Sequence, residues 1–428
     1  SKIEFRNVFR MITTRSIFLS FCCFIFWGNI SQAIIFDRRE RPKPELSYYL
    51  YPVAGSIPGL QDFYGLGATV SGIYGSDVDI TAISLRGEAK YITEGDFGID
   101  ILTVLDIPLL TPHLTLSTFY TDIRNGTWPE GERGINSNPD STYYLLGSQI
   151  YAKGGELSTN FFKNQLEVYY GFVVSGVKPY GLVDPNGTFY SAEQVALNEN
   201  PMGYRYGIYF DDTDDRRDPR IGYRIQWERW DMPASREENS SYYQDDFNLT
   251  GYIPVLDQNK GVLVLNQFVG TSHVRRAGTV NRSRYICNES LNPGCQAVLN
   301  VLYERQVDEA NQGRATTLGG TNRLRGYRTN RFYDSFTNFR GLEFRWYLHE
   351  TKHAFNYLVQ RGIFTGIQAA FFYEEGTVSP DMGETFWKNF KNSFGVGARL
   401  LLNTVIVRVD QGFSEEGAET TIYIGYPF

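Results

Sequence analysis

Several segments of this chain place an apolar residue at every second position and a polar or charged one between. In 341–348, Leu342, Phe344, Trp346 and Leu348 alternate with Gly341, Glu343, Arg345 and Tyr347. In 404–410, Val405, Val407 and Val409 alternate with Thr404, Ile406, Arg408 and Asp410. In 363–374, Ile363, Ile367, Ala369, Phe371 and Tyr373 share one face, opposite Gly366, Gln368, Phe372 and Glu374. In 420–428, Ile422, Ile424, Tyr426 and Phe428 alternate with Thr421, Tyr423 and Gly425. Side chains of a strand point alternately to its two faces, so each segment predicts a strand with one apolar and one polar face. A soluble β-sandwich has the same repeat. Its polar face, however, does not usually carry Glu343, Arg345, Arg408 and Asp410 between bulky apolar residues. That arrangement fits a β-barrel with lipid outside and a wet lumen inside.

Composition supports the barrel. Tyr and Phe number 30 each, and aromatic residues make up 15% of the chain. The mean hydropathy is only −0.32, because just half of the strand residues face lipid. A helical membrane protein would be far more apolar. The one continuous apolar run lies near the start: Arg10 and Arg15 flank Met11, and Ile17 to Trp27 is apolar apart from Ser20. Ser31, Gln32 and Ala33 then offer a small-x-small cleavage site. This predicts an export signal over 1–33, with 1–10 as an over-long start, and Sec-type passage to the periplasm. No later stretch reaches the ~20 apolar residues of a spanning helix. Residues 34–62, with Arg38, Arg39, Arg41, Pro42 and Pro44, read as a short periplasmic lead-in, and 63–428 as the barrel.

Sixteen strands are expected, at 63–73, 78–91, 96–105, 112–122, 142–152, 154–163, 165–177, 203–211, 219–230, 242–253, 260–271, 337–348, 362–374, 391–402, 404–412 and 419–428. An even number puts both termini on the periplasmic side and the long connections 178–202 and 272–336 outside the cell. One connection, 123–141, is then long for a periplasmic turn. Cys22 and Cys23 leave with the signal. Cys287 and Cys295 enclose an Asn/Pro/Gly-containing turn and are expected to form a disulfide, since no nearby His completes a metal set. A net charge of −7 argues against a nucleic-acid partner. His349-Glu350-Thr351-Lys352-His353 matches a zinc-protease pattern. That chemistry needs both His on one helix face, and here the motif ends a strand, so no metal site is expected. No P-loop and no nucleophile with a convincing base is present. Neither an enzyme nor a cofactor is expected.

Four stretches carry a further signal. Leu318 to Tyr327 ends in Leu324-Arg325-Gly326-Tyr327, between the eleventh and twelfth expected strands. Phe372-Tyr373-Glu374-Glu375-Gly376 lies on the thirteenth. Asp211 to Gly222 is an Asp-rich turn with Pro219 and Gly222 before a strand. Gly395 to Leu401 and Val405 to Asp410 lead to the terminal Phe428. Together they resemble the BamA/TamA superfamily, the bacterial surface antigen family of outer-membrane assembly proteins. The match covers 203–428, more weakly 46–91, and Glu374 stands where the family has Asp.

The resemblance implies that the loop carrying Arg325 folds back into the lumen and meets the wall acid Glu374, with Glu343 as a second partner. Gly326 would allow close approach, beside Tyr327, Phe372 and Gly376. Tyr426 and Phe428 would form a barrel-assembly signal. Pro427 and Gly425, with Gly65, Gly67 and Gly72 in the first strand, permit a weak seam. The implied role is outer-membrane protein or lipid assembly or translocation. Its partners would be outer-membrane lipid, the barrel-assembly machinery and a separate periplasmic subunit, because 34–62 is too short for a periplasmic POTRA domain. A structural subunit of an outer-membrane complex and a loop-plugged passive pore are the alternatives.

Overall fold

The alternating segments fold as strands of one antiparallel sheet. The computed structural model describes residues 46–57, 61–88, 96–162, 164–191, 202–234, 240–256, 260–291, 293–351, 353, 355–357, 360–362, 365–402 and 405–428. The export signal, Cys22, Cys23 and the first part of the lead-in lie outside the described residues. The early strands are β1 (Ser47–Ile57), β2 (Gln61–Ser71), β3 (Asp79–Glu88), β4 (Asp96–Pro108), β5 (Leu114–Glu130), β6 (Tyr143–Phe161) and β7 (Leu166–Val183). After the short β8 (Phe189–Ser191) come β9 (Met202–Thr213), β10 (Gly222–Met232), β11 (Ser241–Pro254), β12 (Gly261–Arg276) and β13 (Phe336–Thr351). A small hairpin, β14 (Phe355–Tyr357) and β15 (Gln360–Gly362), precedes β16 (Thr365–Ser379), β17 (Lys391–Leu402), β18 (Val405–Ser414) and β19 (Gly417–Ile424). Setting aside β8, β14 and β15, each strand pairs antiparallel with the next.

Burial separates a membrane barrel from a sandwich. On β13, Leu342, Trp346 and Leu348 are 39%, 45% and 53% exposed, whereas Glu343 and Arg345 are fully buried at 0%. Phe371 and Tyr373 of β16 are likewise exposed, and Phe372 between them and Glu374 after them are buried. Apolar side chains outside and charges inside invert the soluble pattern and suit a wall with lipid around it. No helix among the described residues is long and apolar enough to cross a membrane.

Two differences from expectation change which strands there are. The lead-in contains a full strand, β1. Its inward residues Tyr49, Tyr51 and Val53 and its outward Leu50 are all apolar or aromatic, so it shows no alternation to read. The expected strands 142–152 and 154–163 are a single strand, β6, that runs through Gly154 and Gly155. Those glycines make room instead of ending the strand: a Cβ on Gly154 would lie 2.8 Å from the Phe119 ring. The two errors cancel, so sixteen long strands remain among the described residues. Because β1 was missed, the early directions were inverted. The 131–142 connection lies at the end of the sheet far from the termini, with the loop between β12 and β13, and is no longer an over-long turn.

Candidate functional site

The end that carries Ser47 and Ile424 is here the near end, and the opposite one the far end. The long far-end loop between β12 and β13 begins with a disulfide between Cys287 and Cys295, as expected. It continues as helix α1 (Cys295–Gln312). Glu289 accepts hydrogen bonds from the Gly294 and Gln296 amides at 2.7 and 2.9 Å, covering open donors at the start of α1. Cys287, Glu289 and Cys295 lie close together, but both sulfurs are bonded to each other, so they are not a metal site. Replacing both cysteines with serine is expected to leave the barrel folded and to speed proteolysis within 277–312. Limited proteolysis followed by mass mapping reads this directly.

After α1 the chain turns inward. The Leu318 and Phe332 backbones bond each other at 2.9 and 3.0 Å, so 319–331 forms a closed tip. Within it Leu324 takes a left-handed φ of 54°, and Gly319 and Gly320 take φ of 100° and 106°. The tip sits on apolar residues: Leu318, Leu324, Tyr327 and Phe332 pack with Phe268, Phe339, Val378 and Ile135. Gly376 on β16 gives the room, since a Cβ there would meet Leu318 at 2.7 Å. Gly326 is pressed to β18: its Cβ would stand 2.6 Å from the Phe413 carbonyl oxygen. The motif glycines therefore act through space, as the resemblance implied.

This seating carries Arg325 into the wall with its side chain fully buried. Its backbone N–H donates to Glu374 Oε2 at 2.8 Å and its Nε to Glu374 Oε1 at 2.7 Å. Its Nη1 donates to Glu343 at 2.9 Å and to Asp410 at 2.8 Å. The guanidinium lies 3.6 Å over the Phe372 ring. Burial alone would pull the Arg325 pKa down. The carboxylates of Glu374, Glu343 and Asp410 outweigh it and hold the pKa above the ordinary range, so Arg325 is cationic. Arg325, Gly326, Tyr327, Phe372, Glu374, Glu343 and Gly376 all come together.

The network is larger than the expected lock. Arg399 donates to Asp410 at 2.8 Å and to Glu343 at 3.1 Å. Arg345 donates to Glu343 at 2.8 Å, and Arg408 to Asp410 at 2.8 Å. Arg408 also holds the loop itself, through the Thr321 carbonyl at 2.7 Å and Asn322 at 2.8 Å. Ser393 donates to Glu374 at 3.0 Å. Four buried guanidiniums thus meet three buried carboxylates. Alternation had already put Arg345, Arg408 and Asp410 on the polar face. What it lacked was the cross-strand register, which sets Gly397 opposite Asp410 and Arg399 opposite Arg408.

The Asp-rich turn between β9 and β10 forms a second polar centre, at the near end. Asp214 accepts from the Arg220 and Ile221 amides at 2.8 and 3.1 Å, and Asp215 from the Arg217 and Asp218 amides at 2.7 and 3.0 Å. These side-chain-to-backbone bonds fold the turn. It reaches widely: Arg217 bonds Asp79 of β3 at 2.9 Å, and Arg220 bonds Glu350 of β13. Arg220 also lies 3.7 Å over the Tyr347 ring. Glu350 is thereby occupied as an ion-pair partner, and His349 is part of the β13 ladder. His349, Glu350 and Thr351 of the zinc-protease pattern lie on β13.

The C-terminus departs from expectation. The last strand stops at Ile424, not at Phe428. Gly425 takes a φ of 102°, and the tail turns inward. Tyr426 donates to Asp218 at 2.8 Å and lies 3.7 Å under the Arg345 guanidinium. Phe428 packs against Phe339 with ring centroids 6.3 Å apart, near Arg325. Tyr426 and Phe428 therefore do not line one face of a strand. They link the loop lock to the near-end turn. Alternation over four residues could not register a glycine turning out of the sheet.

No protein-family model matches the chain, and the comparison with curated proteins gave no match. Among solved structures, the chain resembles CdiB from Escherichia coli with a TM-score of 0.53 and 11% identity, over 91% of this chain and 65% of that one. CdiB from Acinetobacter baumannii gives 0.49 at 11%, over 89% and 60%. BamA from Haemophilus ducreyi lacking POTRA domains 1–3 gives 0.46 at 13%, over 90% and 70%. This chain thus spans less than two thirds of either CdiB chain. With the inverted burial of its sheet, the likeness to Escherichia coli CdiB shows that this chain has a CdiB-like antiparallel β-barrel fold.

Proposed function

We propose that this barrel works in assembly or translocation of proteins or lipids at the outer membrane, with the loop tip as a releasable plug. The observation that supports the reading is the burial of Arg325 among Glu374, Glu343 and Asp410. A barrel that only needs to be stable has little use for such a network, because apolar packing of equal volume usually holds as well or better. A charged lock does suit an element with a seated and a released state, since each partner left alone is costly. The reaction is passage and not catalysis. Its partners are outer-membrane lipid, the barrel-assembly machinery and a periplasmic subunit that delivers the cargo. While the chain is unfolded, Tyr426 and Phe428 serve as its own assembly signal. Depleting the protein is expected to lower the levels of several other outer-membrane proteins or of surface lipid, measured in isolated outer membranes. Unchanged levels of both would overturn the reading.

A loop-plugged pore is the second reading, supported by the same seated tip. It expects that deleting 316–332 raises conductance in planar bilayers while depletion leaves other outer-membrane components alone.

A further inference from the structure

A glycine inside a strand often marks a place where other groups come close, and Gly98 of β4 is one. It pairs with Arg86 of β3 on one side and with Arg124 of β5 on the other. A Cβ on Gly98 would stand 3.1 Å from Arg124 Nη2 and 3.4 Å from Arg86 Nη1. The two guanidiniums therefore converge over a residue that puts no side chain between them. Asp100, two residues along β4, holds both. Arg86 donates to it at 3.0 Å and Arg124 at 2.9 Å, and Ser84 fixes it with a bond of 2.6 Å.

These groups point outward. They share a face with Leu66, Leu102 and Tyr120, which are exposed as Leu342 and Trp346 are on β13. The opposite face carries the buried cluster of Phe63, Leu85, Phe97 and Ile99. Gly98 and Arg124 lie on the far-end side of Leu102 and Tyr120, so the charges begin where the apolar outer face stops. The side chains of Arg86 and Arg124 are 41% and 48% exposed. Among the described residues, Asp100 is the only carboxylate that either pairs with; Glu88 and Asp96, nearer the far end, bond neither. Arg124 bonds only through Nη2, which leaves its Nε and Nη1 donors open. Two cations sharing one carboxylate attract a further anion, and the guanidinium fork matches the oxygens of a phosphate.

We propose that Arg86 and Arg124, brought together over Gly98, bind the phosphate of an anionic membrane lipid whose chains lie along Leu66, Leu102 and Tyr120. Position favours a lipid over free phosphate as the source, because the two cations stand at the edge of the apolar outer face. The inference rests on that face being covered by lipid and not on the role in assembly or translocation. Its readout is binding to the isolated protein, so its failure is distinct from that of the depletion experiment.

Native mass spectrometry of the full-length folded protein in detergent tests it, with dioleoyl phosphatidic acid as the probe and dioleoyl phosphatidylcholine as the comparison. The wild type is expected to bind phosphatidic acid more tightly. Arg86→Gln with Arg124→Gln is expected to weaken phosphatidic acid about tenfold, the scale of one lost charge-assisted bond, and to leave phosphatidylcholine unchanged. Gly98→Val keeps every charge but fills the space where the guanidiniums meet, and is expected to weaken phosphatidic acid as well. Equal binding of the two lipids by the wild type, or undiminished phosphatidic acid binding by the double variant, would overturn the site. Displacement of the lipid by millimolar inorganic phosphate would overturn the assignment to a lipid. The compact, unheated gel form checks the folding of each variant. Should the double variant fail that check, Gly98→Val decides alone, and undiminished binding by it overturns the site.

Discussion

Arg325→Ala is expected to cost about 3–5 kcal/mol of folded-state stability, the usual scale for removing one partner of a buried ion pair. The reason lies in how the partners are shared. Glu343 retains Arg345 and Arg399, and Asp410 retains Arg399 and Arg408. Glu374 has less reserve: among the described residues its other hydrogen bonds come from the Arg325 amide and Ser393, and Arg323 acts on it without a hydrogen bond. The substitution therefore leaves one fully buried carboxylate without a directly bonded cation. Adding Glu374→Ala to it should cost much less than the sum of the two single changes, because the second removes the orphaned charge. The observable is the temperature at which the compact, unheated gel form is lost. The loop should also become protease-sensitive near 318–332. Full additivity of the two substitutions, or an unaltered transition with an intact loop, would show that the contact carries no stability.

Asp410→Ala should do more harm than Arg325→Ala. Asp410 accepts from three guanidiniums, of Arg325, Arg399 and Arg408, at 2.8 Å each. Without it, four buried cations face two carboxylates, and no water reaches side chains that are at most 1% exposed. Like charges close together at low dielectric repel strongly. Asp410→Asn keeps the volume and one acceptor oxygen, so it should fall between wild type and alanine. Arg408→Met in the Asp410→Asn background removes one uncompensated cation and should recover part of the loss, despite deleting the bonds to Thr321 and Asn322. Melting curves of the four proteins decide the matter. If Asp410→Ala is no worse than a surface change such as Glu384→Gln, then the charges are not organised as described.

The cost of these substitutions matters for function because the loop lock and the near-end turn are joined. Glu343 holds Arg345, Arg345 covers Tyr426, and Tyr426 bonds Asp218 beside Arg220. Burial opposes the charge of Arg220, and the bond to Glu350 more than compensates, raising its pKa above the ordinary range. Both centres are therefore charged, and the C-terminal tail lies between them. A loop released from Glu374 would lose its contact with the group that positions the tail. In this way one end of the lumen is connected to the other by side chains that touch.

The amino-acid sequence by itself determined which side chains face lipid and which face the lumen, because strand side chains alternate strictly and the two environments select opposite residues. The disulfide was legible in the local pattern around Cys287 and Cys295, and the inturned loop in the resemblance carried by the residues around Arg325. Missing β1 shows the limit of that reading: Tyr49, Leu50 and Tyr51 are apolar on both faces, and alternation has nothing to report there. Only the tertiary structure decided the heights at which strands pair, since a period of two gives a face and not a register. That is why Asp410 and Arg399 join Arg325 across as many as 85 residues of chain, and why the single lock became a network. It alone decided that Gly425 turns Tyr426 and Phe428 inward. These outcomes depend on which groups meet after the sheet has curved, and no local preference encodes that meeting.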